Sequence, residues 1–150
     1  MDCDGVLTDG RLYFSKDGET LKAFDVRDGQ GIVLWHEAGF QSGIISGRDA
    51  GAIIQARADE LGMLYVRTGS KDKVADFRHI ITVAGVTPAE AAFIGDDVGD
   101  IELMKVVGFS IAVSDAVEEV RNAALHVTTA KGGRGAVREV IDMILAAKTG

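Results

Sequence analysis

Short apolar runs alternate with longer amphipathic stretches along most of the chain, as strands and helices do in layered α/β proteins. This alternation predicts a Rossmann-like α/β fold, in which helices cover both faces of a parallel sheet. The predicted strands are residues 42–46, 63–66, 91–94, 109–113 and 126–128. The predicted helices are residues 29–38, 49–61, 71–84, 98–107 and 115–124, with a last helix that ends at Ala147.

Residues 11–26 interrupt the alternation. Two β-like runs, 11–14 and 20–26, flank the dipeptide Asp17-Gly18, which is typical of a tight hairpin turn. We therefore expect a β-hairpin insert here. A two-stranded hairpin is marginal in water by itself, so this one needs a surface to pack on.

Local signals mark several helix boundaries. Gly39, Gly62 and Gly85 each follow a predicted helix, where glycine readily adopts the left-handed conformation of a C-terminal cap. Thr87-Pro88-Ala89-Glu90 has the pattern of a capping box with proline at the first helical position.

Composition restricts the class of protein. A chain of 150 residues with 47% apolar positions predicts one globular domain over residues 1–150. The net charge of −7 argues against nucleic acid or an anionic membrane as a partner. No apolar run reaches the roughly 18 residues of a membrane span, and no signal peptide is recognisable. Cys3 is the one cysteine, so an internal disulfide is excluded, and we expect a buried thiol in a cytoplasmic protein.

Two acidic clusters carry the candidate chemistry. Asp2 and Asp4 lie in DCDGVLTDG, and Asp96, Asp97 and Asp100 lie in GDDVGD. Clustered carboxylates repel one another unless a cation lies between them. Mg²⁺ favours one or two carboxylates together with substrate phosphate. A magnesium site with a spare carboxylate nucleophile suits phosphoryl transfer through an aspartyl-phosphate.

The predicted fold brings these clusters together. Asp2, Ser46 and Asp96 each fall at the carboxyl end of a strand, and such ends meet at the edge of a parallel sheet where ligands bind. Aspartates are also common in turns and as helix N-caps. That simpler interpretation is preferred for four others: Asp9, Asp17, Asp28 and Asp115.

The order of these motifs resembles the haloacid dehalogenase superfamily of phosphohydrolases. DCDGVLTDG, Ser46 in IISGR, Lys73 in KDK, and GDDVGD follow one another in that family's sequence. VRDGQG at 26–31 and KGGRGAVREV at 131–140 are similar to the 3-deoxy-D-manno-octulosonate 8-phosphate phosphatases and their sialate-type relatives. The resemblance covers nearly the whole chain and implies Mg²⁺-dependent hydrolysis of a sugar-acid phosphate.

The resemblance implies specific catalytic roles. Asp2 would attack phosphorus, and Asp4 would protonate the leaving alcohol and later activate water. Ser46 and Lys73 would hold the phosphate oxygens. The alternatives are that Ser46 caps the next helix and that Lys71 takes the place of Lys73.

It also implies a metal site. Asp2, the backbone carbonyl of Asp4, and Asp96 would bind Mg²⁺. Asp97 belongs to the predicted metal site as well, and it and Asp100 would orient metal-bound water and the active-site lysine. The alternative for these last two is a favourable charge at a helix N-terminus.

Further residues are expected to meet the substrate. Arg48 and Arg57 are candidates for binding the sugar-acid carboxylate, because arginine can bind it with two hydrogen bonds. The related nononate phosphatases tend to have an acidic residue in place of Arg48, so the octulosonate is favoured. Thr8 and Gly47 complete the set, together with Arg134, which the resemblance places near a neighbouring subunit's site. Arg57 on a solvated helix face and Arg134 as an ordinary loop residue are the alternatives.

The resemblance implies an assembly too. The hairpin would stand in place of a cap domain and build a homotetramer. Family members carry a buried strand before the nucleophile, so we expect the natural protein to begin before Met1.

Other functions stay open. The substrate could be a nononate or sialate 9-phosphate. The chain could be a non-catalytic oligomerisation module, related to a domain of sialate-activating enzymes, although such a module has no need of Asp4. A receiver domain also uses an acidic Mg²⁺ pocket, but the spacing of Asp2 and Asp4 disfavours it.

Overall fold

The structure, a computed structural model, describes residues 1–149, and its strands and helices alternate as the sequence predicts. The strands are β1 (Tyr13–Ser15), β2 (Gly18–Leu21), β3 (Gly43–Ile45), β4 (Tyr65–Arg67), β5 (Ala92–Gly95), β6 (Phe109–Ala112) and β7 (His126–Val127). The helices are α1 (Val26–Glu37), α2 (Gly51–Leu61), α3 (Lys73–Ala84), α4 (Ile101–Met104), α5 (Glu118–Ala123) and α6 (Ala136–Thr149).

Parallel pairing confirms the predicted fold class. Strand β3 pairs with β4, while β5, β6 and β7 pair in that order, all in parallel. Met1 and Asp2 connect the two groups. The nitrogen of Met1 donates to the Gly43 carbonyl (3.1 Å), its carbonyl accepts from the Ile45 nitrogen (3.0 Å), and the Asp2 nitrogen donates to the Ile94 carbonyl (3.0 Å). Residues 1 and 2 thus occupy the centre of the sheet.

The predicted hairpin is confirmed as an antiparallel pair of strands, β1 and β2. Its second strand is shorter than predicted, because it ends at Leu21 and α1 begins at Val26. The Asp25 carboxylate accepts a hydrogen bond from the Arg27 nitrogen and caps this helix.

One apolar core supports the sheet and contains Cys3, whose thiol is fully buried as expected. Burial raises the pKa of this thiol to about 12, so it stays protonated and serves as packing. Among the helices of residues 1–149, none combines the length and the apolar character that a membrane-spanning helix needs.

Asp28 corrects one interpretation made from the sequence. It is not a turn residue but lies buried in α1, where its carboxylate accepts from the backbone nitrogens of Gly135 and Arg138. Gly135 lies just before α6 and Arg138 in its first turn, where the first N–H groups have no partner within the helix. Asp28 therefore joins α1 to the glycine-rich loop that precedes α6.

That glycine-rich loop packs backbone against backbone on residues 5–9. The Gly133 nitrogen donates to the Val6 carbonyl (2.8 Å). A Cβ at Gly132 would lie 1.7 Å from the Gly5 carbonyl oxygen, and one at Gly133 would lie 2.4 Å from the Thr8 carbonyl carbon. The glycines thus allow one loop to hold another that carries candidate site residues.

Replacing Gly133 tests this packing. Gly133 has φ +65° and no room for a Cβ, whereas Gly85 has φ +72° with open space around it. Gly85→Ala should cost only the left-handed conformation, about 1–2 kcal/mol. Gly133→Ala adds the clash and should cost about 2–5 kcal/mol. Urea unfolding with chelator present measures both, and equal losses would contradict the close packing.

Candidate active site

The carboxyl edge of the sheet brings Asp2, Lys73 and Asp100 into direct contact. The Lys73 ammonium donates to Asp2 Oδ2 at 2.9 Å and to Asp100 Oδ1 at 2.7 Å. Lys73 is the first residue of α3, and the Asp72 carboxylate caps that helix through the Ala75 nitrogen. The cap fixes the start of the helix and thereby directs Lys73 toward the acidic cluster.

Asp100 holds the loop that follows β5. Its second oxygen accepts from the backbone nitrogens of Asp96 (2.9 Å) and Asp97 (3.3 Å). Gly95 permits this approach, because a Cβ there would lie 2.7 Å from the Asp100 side chain. The predicted helix over 98–107 accordingly starts as a 3₁₀ turn at Val98–Asp100 and continues as the short α4.

Asp97 points elsewhere. Its carboxylate accepts from the Val98 nitrogen at 2.7 Å and caps the 3₁₀ turn. The side chain is therefore engaged as a cap, and the cluster of three carboxylates is made by Asp2, Asp96 and Asp100.

This cluster fits a divalent cation. One carboxylate oxygen from each of the three residues lies within 4.8 Å of the others. Within residues 1–149, the buried Oδ1 of Asp96 has no hydrogen-bond partner. Gly5 leaves the space that Asp96 fills, since a Cβ at Gly5 would lie 1.9 Å from Asp96 Oδ2. Carboxylate oxygens held this closely are the donors that Mg²⁺ prefers, so Asp2 and Asp96 are suited to bind it.

Where no metal is bound, protonation of Asp96 relieves the repulsion between these carboxylates. Burial, and then repulsion from Asp2 and Asp100, raises the pKa of Asp96 to about 8. Burial likewise raises the pKa of Asp2, while the Lys73 ammonium opposes that rise. The lysine itself stays charged, because its carboxylate partners outweigh burial and raise its pKa.

Asp4 lies in a second group of charges with Lys22, Glu19 and Arg48. The Lys22 ammonium donates to Asp4 Oδ1 at 2.5 Å and to Glu19 Oε1 at 2.7 Å. Arg48 lies on the other side, with Nη2 at 3.3 Å from Glu19 Oε2 and Nε at 3.6 Å from Asp4 Oδ2. Sequence reasoning missed Lys22 and Glu19. A lysine between the apolar residues Leu21 and Ala23 of the predicted strand was the available signal.

Ser46 lies at the end of β3 and is buried. Its hydroxyl accepts from the Arg48 nitrogen at 3.3 Å, so it shapes the turn that leads to Gly47 and Arg48. It does not cap α2, which begins at Gly51 after Ala50 without a side-chain cap. The capping alternative for Ser46 is therefore wrong.

Three predicted substrate residues make their contacts outside the acidic cluster. The buried Thr8 hydroxyl accepts from the nitrogens of Gly5 and Gly10, which makes it a support of the loop. Arg57 pairs with Glu60 (2.8 Å), and its guanidinium lies 5.4 Å from the centre of the Phe24 ring. Arg134 has an exposed guanidinium 3.8 Å from Asp9.

Comparison with known proteins decides the family. Residues 48–141 match the model of the haloacid dehalogenase-like hydrolases. The chain is 43% identical over 147 residues to the 3-deoxy-D-manno-octulosonate 8-phosphate phosphatase of Yersinia pestis, which covers 98% of this chain and 78% of that protein. The chain belongs to this family of haloacid dehalogenase-like phosphatases. The resemblance drawn from the motifs, and the assignment as a phosphatase, are thereby confirmed.

Solved structures of this family superpose closely on the chain. The cobalt-bound phosphatase of Haemophilus influenzae has a TM-score of 0.96 at 42% identity, covering 99% of this chain and 86% of that one. The phosphatase of Moraxella catarrhalis, in complex with magnesium, phosphate and KDO, has a TM-score of 0.92 at 37% identity, covering 97% and 83%. These two relatives contain cobalt and magnesium respectively, which agrees with the suitability of this chain's acidic cluster for a divalent cation.

Magnesium and pH should act together on stability. Without metal, stability should fall as the pH rises from about 4 to about 8, because folded Asp96 holds its proton more tightly than the unfolded chain does. Mg²⁺ needs the carboxylate form, so its apparent affinity should weaken about tenfold for each pH unit below 8. Thermal unfolding at pH 6 and pH 8, with chelator or with Mg²⁺, should show a larger Mg²⁺-induced rise at pH 8.

Asp96→Asn is the matched variant for this measurement. It removes this titrating group and one metal ligand together, so both the Mg²⁺-induced rise and its pH dependence should become smaller. An equal rise at both pH values in the unchanged protein would contradict the competition between metal and proton at Asp96.

Proposed function

We propose that this protein hydrolyses the phosphate ester of 3-deoxy-D-manno-octulosonate 8-phosphate, with Mg²⁺ and through an aspartyl-phosphate on Asp2. The observation that carries the proposal is the Lys73 ammonium between Asp2 and Asp100, beside Asp96 and its free oxygen. The relatives from Yersinia pestis and Haemophilus influenzae, each 43% identical to this chain, are 3-deoxy-D-manno-octulosonate 8-phosphate phosphatases by name.

In the first step Asp2 attacks phosphorus and the ester bond to the sugar oxygen breaks. The Cys3 nitrogen donates to Asp2 Oδ1 (2.7 Å) and Lys73 donates to Oδ2, so the nucleophile is held firmly. Asp4 gives its proton to the leaving sugar oxygen. Lys73 offsets the negative charge that the phosphoryl group brings.

In the second step water replaces Asp2 at phosphorus. Asp4, now a carboxylate, accepts a proton from the water, which attacks and releases inorganic phosphate with the Asp2 carboxylate restored. Asp2 and Asp96 would hold Mg²⁺, with the Asp4 carbonyl as a further proposed ligand, and the ion would supply positive charge that favours phosphoryl transfer. Asp97 takes a peripheral place in this metal site, because its carboxylate caps the neighbouring 3₁₀ turn.

Arg48 supports the choice of substrate. Its guanidinium is partly exposed and lies 3.6 Å from Asp4, so it can meet a carboxylate on the leaving group. Ser46 and Gly47 form the turn between β3 and Arg48 and are proposed to contact the phosphate. Arg57 pairs with Glu60 and is the weaker candidate.

We extend the proposal to assembly and location. The hairpin exposes the apolar side chains Leu12, Phe14 and Leu21, which suits burial in a homotetramer. In such an assembly Arg134, which is exposed, could reach a neighbour's site. The free thiol of Cys3 suits the reducing cytoplasm. The apolar core of the described residues, 1–149, supports the expectation of one domain over residues 1–150.

Phosphate release tests the proposal directly. The protein should release inorganic phosphate from 3-deoxy-D-manno-octulosonate 8-phosphate with Mg²⁺, lose that activity with chelator, and prefer this ester to a nononate 9-phosphate. A folded protein that hydrolyses neither ester would contradict the proposal and favour the non-catalytic module.

The variant Arg48→Ala tests, in the same assay, whether Arg48 binds the carboxylate of the substrate. Loss of a charged hydrogen bond of about 1.5–3 kcal/mol should raise KM for the octulosonate ester by about 10- to 100-fold. Hydrolysis of p-nitrophenyl phosphate, which has no carboxylate, should change much less. An equal loss on both esters would contradict the role of Arg48 in substrate choice.

A further inference from the structure

The segment just after the hairpin carries a buried cation next to the candidate proton-transfer group. The Lys22 side chain is 0% exposed, and its ammonium contacts Asp4 Oδ1 and Glu19 Oε1. Burying an ammonium costs several kcal/mol unless it is paired and hydrogen-bonded. The two carboxylates satisfy that need, and they outweigh burial so that the pKa of Lys22 lies above its usual value. We propose that Lys22, held by Glu19, is a positioning residue for Asp4.

The two oxygens of Asp4 have different surroundings, and this difference defines the role of Lys22. That role rests on the function proposed above for Asp4. Oδ1 is bound by Lys22. Oδ2 is buried and has no hydrogen-bond partner among the described residues, although Arg48 Nε lies 3.6 Å from it. A carboxylate held at one oxygen cannot rotate freely about its Cβ–Cγ bond. Lys22 therefore keeps Oδ2 available for the proton that passes to the leaving oxygen and, later, from water.

Glu19 completes the arrangement. Its carboxylate is 7% exposed and uses one oxygen for Lys22 and the other for Arg48. Asp4, Lys22, Glu19 and Arg48 thus form a closed ring of alternating charge with two members of each sign. The hairpin supplies Glu19, and the segment just after it supplies Lys22, so hairpin docking and Asp4 orientation are linked.

A purely structural role is the competing explanation. Lys22 could merely fasten the hairpin to the rest of the domain. Its removal would then lower stability and reduce every step of catalysis together. A positioning role instead predicts a selective loss in the steps that need proton transfer by Asp4.

An activated ester separates these two explanations. Nitrophenolate leaves without being protonated, so the first step with p-nitrophenyl phosphate does not need Asp4, whereas hydrolysis of the aspartyl-phosphate does. Lys22→Met should therefore show a rapid burst of about one nitrophenolate per active site, followed by turnover roughly 10- to 100-fold slower than normal. The ratio kcat/KM should stay within about threefold, because it reports the first step and the residue does not contact the phosphate, while KM should fall together with kcat.

Three further variants of this protein serve as comparisons in the experiment. Asp4→Asn should give the same burst with still slower turnover. Glu19→Gln keeps the side-chain volume but weakens the hold on Lys22, and it should give an intermediate burst. Lys16→Met removes an exposed lysine of the same hairpin, which pairs only with Asp17, and should behave as the unchanged protein does.

The outcomes separate this proposal from the proposed function. Normal turnover in Lys22→Met, or a loss of burst and turnover in parallel, would overturn the positioning role. If Lys22→Met does not fold, the burst in Glu19→Gln decides: its presence supports the role and its absence overturns it. Failure of the unchanged protein to hydrolyse any ester, or full turnover in Asp4→Asn, would instead overturn the proposed function itself.

Discussion

Repulsion between carboxylates is the constraint on which the active site depends. Asp2, Asp96 and Asp100 place oxygens within 4.8 Å of one another at one edge of the sheet. The Lys73 ammonium compensates two of them by direct hydrogen bonds. Asp96 keeps a buried oxygen without a partner within residues 1–149, and its raised pKa reflects that imbalance. The negative charge of this cluster is therefore not fully compensated, and either a bound metal ion or protonation of a carboxylate can compensate it.

Close approach of backbone segments makes this concentration of charge possible. Glycine at positions 5, 95 and 132 allows contacts that any side chain would block, since the added Cβ would lie 1.7–2.7 Å from neighbouring atoms. The glycine-rich loop before α6 then holds the loop of residues 5–9 through the Gly133 nitrogen. Asp28 ties that loop to α1. Parts of the chain more than a hundred residues apart thus fix the positions of the catalytic carboxylates.

The sequence predicted what depends on local pattern. The alternation of strands and helices is as predicted, Gly62 and Gly85 end their helices in the left-handed conformation, and Lys73 rather than Lys71 reaches Asp2. The contacts of Lys22 and Asp28 were not predicted. Lys22 meets Asp4 only once the hairpin folds back, and Asp28 meets its donors only when α1 and α6 pack together. Neither contact leaves a periodic signal in the sequence, because each joins distant segments through a single side chain.

The proposed reaction depends on a covalent bond between Asp2 and phosphorus. The direct measurement mixes the protein with substrate and Mg²⁺, stops the reaction in acid within milliseconds, and locates the phosphoryl group by mass spectrometry of peptides. We expect an acyl phosphate on Asp2 that is absent from Asp2→Asn. It should accumulate in Asp4→Asn with an activated ester, because its hydrolysis needs Asp4. Phosphate release with no phosphoryl group on Asp2 in any of these proteins, or with the group on another residue, would contradict it.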